Sequence, residues 1–425
     1  MVRPVAALLH GLGEGVEALA PILGRSAFQR HLRHLGELGV DRVVVPVPGE
    51  SVPAGLSARL RTQADAVGWT GQLEVRSAGT APEAAGLTPS APVLTLTADA
   101  VFDPRLYRAV AAAGGVAWVA DRNPADEGMV AVGLRITGVD GSSLGALAAR
   151  AEATGDVRGD APGGERDRLV LIPEMDAYLP HLRRTLRPYW VRLDSAGARA
   201  RAGHHLLDAT QKGVLDIPAR FLHPPVENLL VRWFAPGPVT PNQITVFTGV
   251  IGFAVAWLFA RGDYAPGLAL ALLVNVLDGV DGKLARVKLL ASRFGDLLDH
   301  TLDVSFEFAW YLGLGWGLAG GDPTGAPFRT AVGLIALMLG TRGISGVYKR
   351  ITGRQIHDHR AFDRAFRLVA GRRNIYVMVL LVGVMVGSVG ASFRLCLLWA
   401  AATLGVYVLR TLGEATRTAG GGGPR

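Results

Sequence analysis

Asp278-Gly279-Val280-Asp281-Gly282-Lys283-Leu284-Ala285-Arg286, followed after eight intervening residues by Gly295, Asp299 and Asp303, is the stretch that decides how this chain reads. Asp278, Asp281, Gly282, Ala285 and Arg286 stand at steps of three, four and eight, so in a helix they share one face. Gly295, Asp299 and Asp303 recur every four residues and line one face of a second helix. Both segments are embedded in apolar sequence, so two adjacent antiparallel helices would bring four carboxylates together near one membrane surface. Desolvation and mutual repulsion both oppose such a cluster. A divalent cation, or two, offsets both costs, and hard oxygen ligands suit Mg²⁺ or Mn²⁺ with phosphate oxygens completing the shell. The small residues Gly282, Ala285 and Gly295 would let a nucleotide approach the backbone, and Arg286 is placed to pair with a phosphate oxygen. The bland alternative is a set of aspartates that merely reach water at span ends, as single ones often do.

Around this stretch the chain changes character. Of its 425 residues 49% are hydrophobic and only 19% charged, with mean hydropathy +0.28. Up to about Gly237 charge and short apolar runs alternate as in globular domains. Beyond it come apolar blocks of bilayer-spanning length. Six spans are expected, near Asn242–Ala260, Ala265–Val287, Asp296–Leu318, Phe328–Tyr348, Asn374–Val389 and Phe393–Leu412. Lys and Arg crowd the second-to-third and fourth-to-fifth connections. The positive-inside rule therefore places the N-terminal domain, both basic loops, the active site and the C-terminal tail in the cytoplasm of a multi-pass cell-membrane protein. The net charge of +8 lies at the ends of apolar segments, which argues for phosphate or anionic lipid rather than nucleic acid. Cys396, the single cysteine, rules out an internal disulfide. The N-terminal apolar stretch is too short for a secretory signal.

The first half reads as an α/β domain with a mostly parallel sheet. Strands are expected at Val5–Leu9, Val43–Val47, Leu73–Val75, Val93–Thr97 and Val116–Val119, and helices at Ser26–Leu38, Val52–Ala66 and Pro104–Ala113. Gly155–Asp167 reads as a loop, and a helix from about Glu174 to Arg187 would close the domain. The expected organisation is residues 1–195 as this domain, 196–238 as linker, 239–415 as the all-α six-span domain and 416–425 as a tail. Within the linker, Phe221–Phe234 carries apolar residues on one side and His223, Glu227 and Arg232 on another. It is either an amphipathic helix at the membrane interface or an ordinary connecting helix.

The carboxylate spacing resembles the signature of the CDP-alcohol phosphotransferase family, D-x2-D-G-x2-A-R-x8-G-x3-D-x3-D, at every fixed position. Thr240-Pro241-Asn242-Gln243-Ile244-Thr245 resembles the same family's entry to its first helix, with Thr240 as N-cap and Pro241 at a helix start. The resemblance covers about half of the chain. It implies that Asp278, Asp281, Asp299 and Asp303 hold metal, two Mg²⁺ or Mn²⁺ ions in the family pattern, and that Asp303 is the base on the acceptor hydroxyl. It further implies that Asn242, Thr245, Gly282, Ala285, Arg286 and Gly295 receive the CDP moiety, that CMP leaves, and that the protein is a homodimer. Glu307, one turn beyond Asp303, is a proton path, a buried hydrogen-bonding group or slightly off the face.

An acceptor carrying phosphate would need cations. Arg342, Lys349, Arg372 and Arg373 are the candidates, with Lys288, Arg293 and Arg350 nearby. Gly371-Arg372-Arg373-Asn374 is similar to a family position that often reads Arg-Asp, from which Asn374 departs. At the other end, Leu8-Leu9-His10-Gly11-Leu12-Gly13-Glu14-Gly15 and Thr97-Ala98-Asp99 resemble a sugar-phosphate nucleotidyltransferase. Gly15 stands where that family carries Arg, no Lys precedes Gly24, and a second Asp is missing near Leu171–Glu174. Without them nucleotidyl transfer lacks charge stabilisation, so a degenerate, silent domain is expected, in a fusion like the inositol-phosphate cytidylyltransferase/di-inositol-phosphate-phosphate synthases. Two donors remain open, CDP-diacylglycerol in phospholipid biosynthesis, which is favoured, and a soluble CDP-polyol. Alternatives from other classes are a cation transporter and a non-catalytic membrane partner.

Overall fold

A computed structural model describes residues 4, 6–12, 17–85, 87, 92–113, 117–122, 129–138 and 168–419. The chain folds as two compact units. One comprises Met1–Leu179, Thr185–Ala209 and Val287–Leu289, and the other Pro180–Arg184, Thr210–Arg286 and Leu290–Arg425.

In the first unit, apolar β-branched runs form a seven-stranded sheet. Its strands are β1 (Ala6–His10), β2 (Arg42–Val47), β3 (Gln72–Ser77), β4 (Pro92–Thr97), β6 (Ala117–Arg122), β7 (Met129–Gly138) and β8 (Arg168–Leu171), in the order β3-β2-β1-β4-β7-β6-β8. β1 pairs in parallel with β2 and β4, as does β2 with β3 and β6 with β8, while β7 runs against both β4 and β6. The mostly parallel sheet is therefore present, and β7 is the exception that the strand reading passed over. β5 (Ala100–Phe102) lies outside this sheet and pairs with β9 (Trp190–Arg192). Helices α1 (Ala27–Glu37), α2 (Leu56–Asp65) and α3 (Pro104–Ala113) cover the sheet through Phe28, Leu32, Leu60, Leu106 and Val110. A capping box of Ser26 and Gln29 starts α1, satisfying two end donors at once. Gly55, at φ 78°, delays the start of α2 from the expected Val52. α4 (Ala196–Asp208) ends the unit.

One expectation fails here. Residues 174–187 are not helical, with only a 3-10 turn at Ile172–Glu174 and short extended pieces at 178–179 and 184–185. Pro180 in the middle of the run removes an amide donor and clashes with the preceding turn. Gly155–Asp167 lies outside the described residues, as do Gly13–Gly15 and Val116.

The second unit is helical. Its elements are α5 (His223–Phe234), α6 (Pro241–Ala260), α7 (Tyr264–Val287), α8 (Arg293–Leu318), α9 (Ala326–Thr352), α10 (Ala361–Arg367), α11 (Arg373–Met385) and α12 (Val389–Ala419). Three of them, α6, α9 and α12, are long and apolar enough by themselves to cross a membrane, and α11 is a shorter apolar helix. α7 and α8 carry the carboxylates within their apolar runs. The fifth expected span stops at Met385 rather than Val389, because Gly387 turns left-handed at φ 68° and the Ser388 amide donates to Gly383 O. α10 forms inside what reads as a plain basic loop, where Arg410 grips the buried Asp363 carboxylate at 2.7 and 2.9 Å.

Small residues let α6 and α8 approach. A Cβ on Gly252 would stand 2.6 Å from the Phe306 ring, and one on Gly317 only 2.1 Å from Phe259 O. The Trp310 indole N–H donates to Gly252 O at 2.6 Å across this contact. Val255, Phe259, Phe306, Trp310 and Leu314 fill the core there, with Leu334 and Leu380. This packing holds the N-terminal half of α8 beside the C-terminal half of α7, where the acidic residues lie.

Candidate metal and nucleotide site

The entry to α6 begins with a capping box, in which the Thr240 side chain accepts from the Gln243 amide and Gln243 from the Thr240 amide. Pro241 follows at the first helical position, where a missing N–H costs nothing. One turn on, Thr245 is buried and donates to Asp281 Oδ2 at 2.5 Å. α8 starts with Ser292 capping Gly295 N at 3.0 Å. A Cβ on Gly295 would come 3.0 Å from Asn242 Oδ1, so the first turns of α6 and α8 meet at these residues.

Carboxylate oxygens of Asp278, Asp299 and Asp303 lie within 4.8 Å of one another. Asp281, expected among the metal ligands, is not in this group; it is buried with its Oδ2 committed to Thr245. Arg373 has a place that the sequence did not disclose. Its guanidinium reaches Asp278 Oδ2 and Asp303 Oδ1 at 3.0 Å each, and its carbon stands 5.0 Å from the centre of the Phe306 ring. Three carboxylates against one guanidinium leave net negative charge with hard oxygen donors converging, which fits a divalent cation.

These groups open onto a cavity of about 610 Å³. Asp278, Asp281, Gly282, Arg286, Asp299, Asp303, Glu307, Arg342, Arg372 and Arg373 all line it, on α7, α8, α9 and the turn into α11. An adjoining cavity of about 40 Å³ is bordered by Asn242, Thr245, Gly282, Ala285 and Gly295. Lys349 lines neither; it and Arg350 are exposed near the end of α9, and Arg293 is exposed at the start of α8. Long cationic side chains at a helix end gain more from water or lipid head groups than from a cavity already rich in guanidinium.

Several lining residues carried no local signal. Arg183 and Lys212 arrive from segments far away in sequence. Asp216 is buried, caps Ala219 N at 3.1 Å and accepts from Asn374 Nδ2 at 3.0 Å, so Asn374 has a structural partner where an Asp would meet repulsion. His357 hydrogen-bonds Arg183, and burial plus the Arg183 and Arg372 charges push its imidazole down to about 3.

The linker helix is amphipathic, with its polar side turned inward. His223 and Glu227 are buried and line the cavity, while Phe221, Leu222, Leu229 and Trp233 face outward, Trp233 at 75% exposure. Glu227 pairs with the equally buried Lys283 at 2.8 Å, and Lys283 donates to Asn228 Oδ1 at 2.7 Å. The backbone of Gly279 lies against Glu227, and a Cβ there would be 2.2 Å from its Oε1. Asn275, an amide inside an apolar run and three residues before Asp278, was a legible signal that the motif overshadowed.

Residues 238–407 match the family model described as CDP-alcohol phosphatidyltransferase. The C-terminal domain belongs to that family. Among relatives of this phosphatidyltransferase domain's chain, the bifunctional IPC transferase and DIPP synthase of Aquifex aeolicus is 27% identical over 48% of the chain and 46% of the relative. The protein of the same name from Thermococcus kodakarensis is 30% identical over 48% and 46%. The Escherichia coli inner membrane protein YnjF is 36% identical over 22% of this chain and 44% of its own length. The matched regions thus span about half the length of these curated relatives.

Proposed function

We propose that this chain is an integral-membrane, metal-dependent CDP-alcohol phosphotransferase that moves a phospho-alcohol from its CDP ester to an acceptor hydroxyl and releases CMP. The observation that carries this reading is the convergence of Asp278, Asp299 and Asp303 within 4.8 Å, bordered by small residues on α7 and α8. These three would hold the cation, with Asp281 joining for a second ion by turning from Thr245. When bound, the metal stabilises charge on the attacking and leaving oxygens. Asp303 takes the acceptor hydroxyl proton. Arg286 holds a phosphate oxygen of the CDP group, whose nucleoside lies against Asn242, Thr245, Gly282, Ala285 and Gly295. Arg342, Arg372 and Arg373 meet an acceptor phosphate.

Two observations favour a CDP-polyol of the CDP-inositol type over CDP-diacylglycerol. The bifunctional relatives are IPC transferases and DIPP synthases, and the cavity is bordered mainly by charged and amide side chains that an acyl chain would desolvate. In the first unit, Asp99 is held by Thr97 and by Arg192 at 3.2 Å, which supports a domain without nucleotidyl transfer. The basic connections between α9 and α11 and after α7 support a cytoplasmic site, and the protein would work as a homodimer.

The test is CMP release from purified protein given CDP-inositol or CDP-diacylglycerol, with inositol 1-phosphate and Mg²⁺. CMP from CDP-inositol, lost without Mg²⁺, is the expected result. No CMP from either donor, together with Mn²⁺ flux in liposomes lacking nucleotide, would replace this reading by a cation transporter.

A further inference from the structure

Asn275 lies on α7 three residues before Asp278, on the same helical face. It is 3% exposed and lines the large cavity. Neither its Oδ1 nor its Nδ2 meets a hydrogen-bond partner. A buried amide left that way is costly, whereas Glu307, which lines the same cavity, is already engaged. Glu307 Oε1 accepts from the Tyr311 hydroxyl at 2.7 Å, and Oε2 faces Arg342 at 3.5 Å. Asn275 therefore offers a donor and an acceptor side by side.

The order of groups along α7 says what would use them. Ala285 and Gly282 border the small cavity, the aspartates follow, and Asn275 comes last. The rise of a helix separates Ala285 from Asn275 by about 15 Å. In an in-line displacement the attacking oxygen stands opposite the leaving one. With CMP on the Gly282–Ala285 side, the attacking alcohol lies on the side of Asn275.

We propose that Asn275 is a specificity-determining residue that binds two neighbouring hydroxyls of the acceptor, next to the one that attacks. One hydroxyl donates to Oδ1 and its neighbour accepts from Nδ2, so the acceptor is a polyol with adjacent hydroxyls. This inference rests on the phosphotransferase reading above and adds the residue that recognises the acceptor's hydroxyls.

The experiment measures KM for CDP-inositol and for inositol 1-phosphate separately, in the parent protein and in Asn275→Leu and Asn275→Ala. Calorimetric binding of CMP with Mn²⁺ shows that the site of each variant is folded. The acceptor KM should rise about tenfold or more, as when a site built for hydroxyls loses its partner, with the donor KM and CMP binding within twofold of the parent. An acceptor KM within twofold of the parent would mean that the amide holds only water, and overturns the proposal. Equal rises in both KM values would also overturn it, as general damage. A parent that releases no CMP from these substrates fails differently, because it removes the phosphotransferase reading itself.

Discussion

Gly279→Ala tests the packing that supports the site. The three atoms nearest to an added Cβ all belong to Glu227, at 2.2, 2.5 and 3.1 Å. No side-chain atom tolerates such a distance, so the Glu227 carboxylate must leave its place against α7. It is 5% exposed as a residue and pairs at 2.8 Å with Lys283, itself 3% exposed. Displacing one member of a buried pair costs about 3–5 kcal/mol. Better helix propensity returns at most about 1 kcal/mol. A net loss of about 2–4 kcal/mol remains, which lowers Tm by roughly 4–16 °C for a domain of this size. The assay is thermal unfolding in detergent of the parent, Gly279→Ala, Glu227→Ala and the double variant. Glu227→Ala alone is destabilising, since it strands Lys283. Adding Gly279→Ala to it should cost nothing further, or slightly stabilise. An equal penalty for Gly279→Ala with and without Glu227 would refute the reasoning, because the clash would then lie elsewhere.

Asp299→Asn should reduce CMP release by more than about a hundredfold while Tm stays near that of the parent; near-normal turnover would count against Asp299 as a metal ligand. Arg373→Gln removes a positive charge 3.0 Å from two of the three converging carboxylates. Mn²⁺ measured by electron paramagnetic resonance should therefore bind about tenfold more tightly, even as turnover falls. Stability should also fall with acid. Burial pushes His31 down to about 3, and it is 1% exposed with its Nδ1 2.6 Å from the Tyr107 hydroxyl. The unfolded imidazole titrates near 6.5, so below that pH the unfolded chain binds the extra proton. The contribution of a neutral His31 is complete above about pH 6.5 and declines as pH drops towards 3. It amounts to about 2 kcal/mol lost by pH 5. Unfolding of the parent and of His31→Gln at pH 7 and pH 5 checks this, with a clearly smaller acid loss expected in the variant.

Spacing in the sequence was enough to group candidate residues wherever they repeat along one helix. The four-residue step sets Asp299 and Asp303 on one face of α8, where they meet Asp278 of α7, and Asn242, Thr245, Gly282, Ala285 and Gly295 border one small cavity. Hydropathy likewise marked α6, α9 and α12, whose apolar runs are long enough to cross a membrane. Pro180 was equally visible as an obstacle to a helix over 174–187.

Partnerships between distant segments were decided by tertiary structure alone. That Arg373 bridges Asp278 and Asp303, that Asp281 turns to Thr245, and that Glu227 of the linker helix closes on Gly279 and Lys283 depend on which faces meet. Local pattern encodes the face of a helix, because backbone geometry is periodic. It does not encode the neighbour on that face, because side-chain pairing follows from how helices pack after they form.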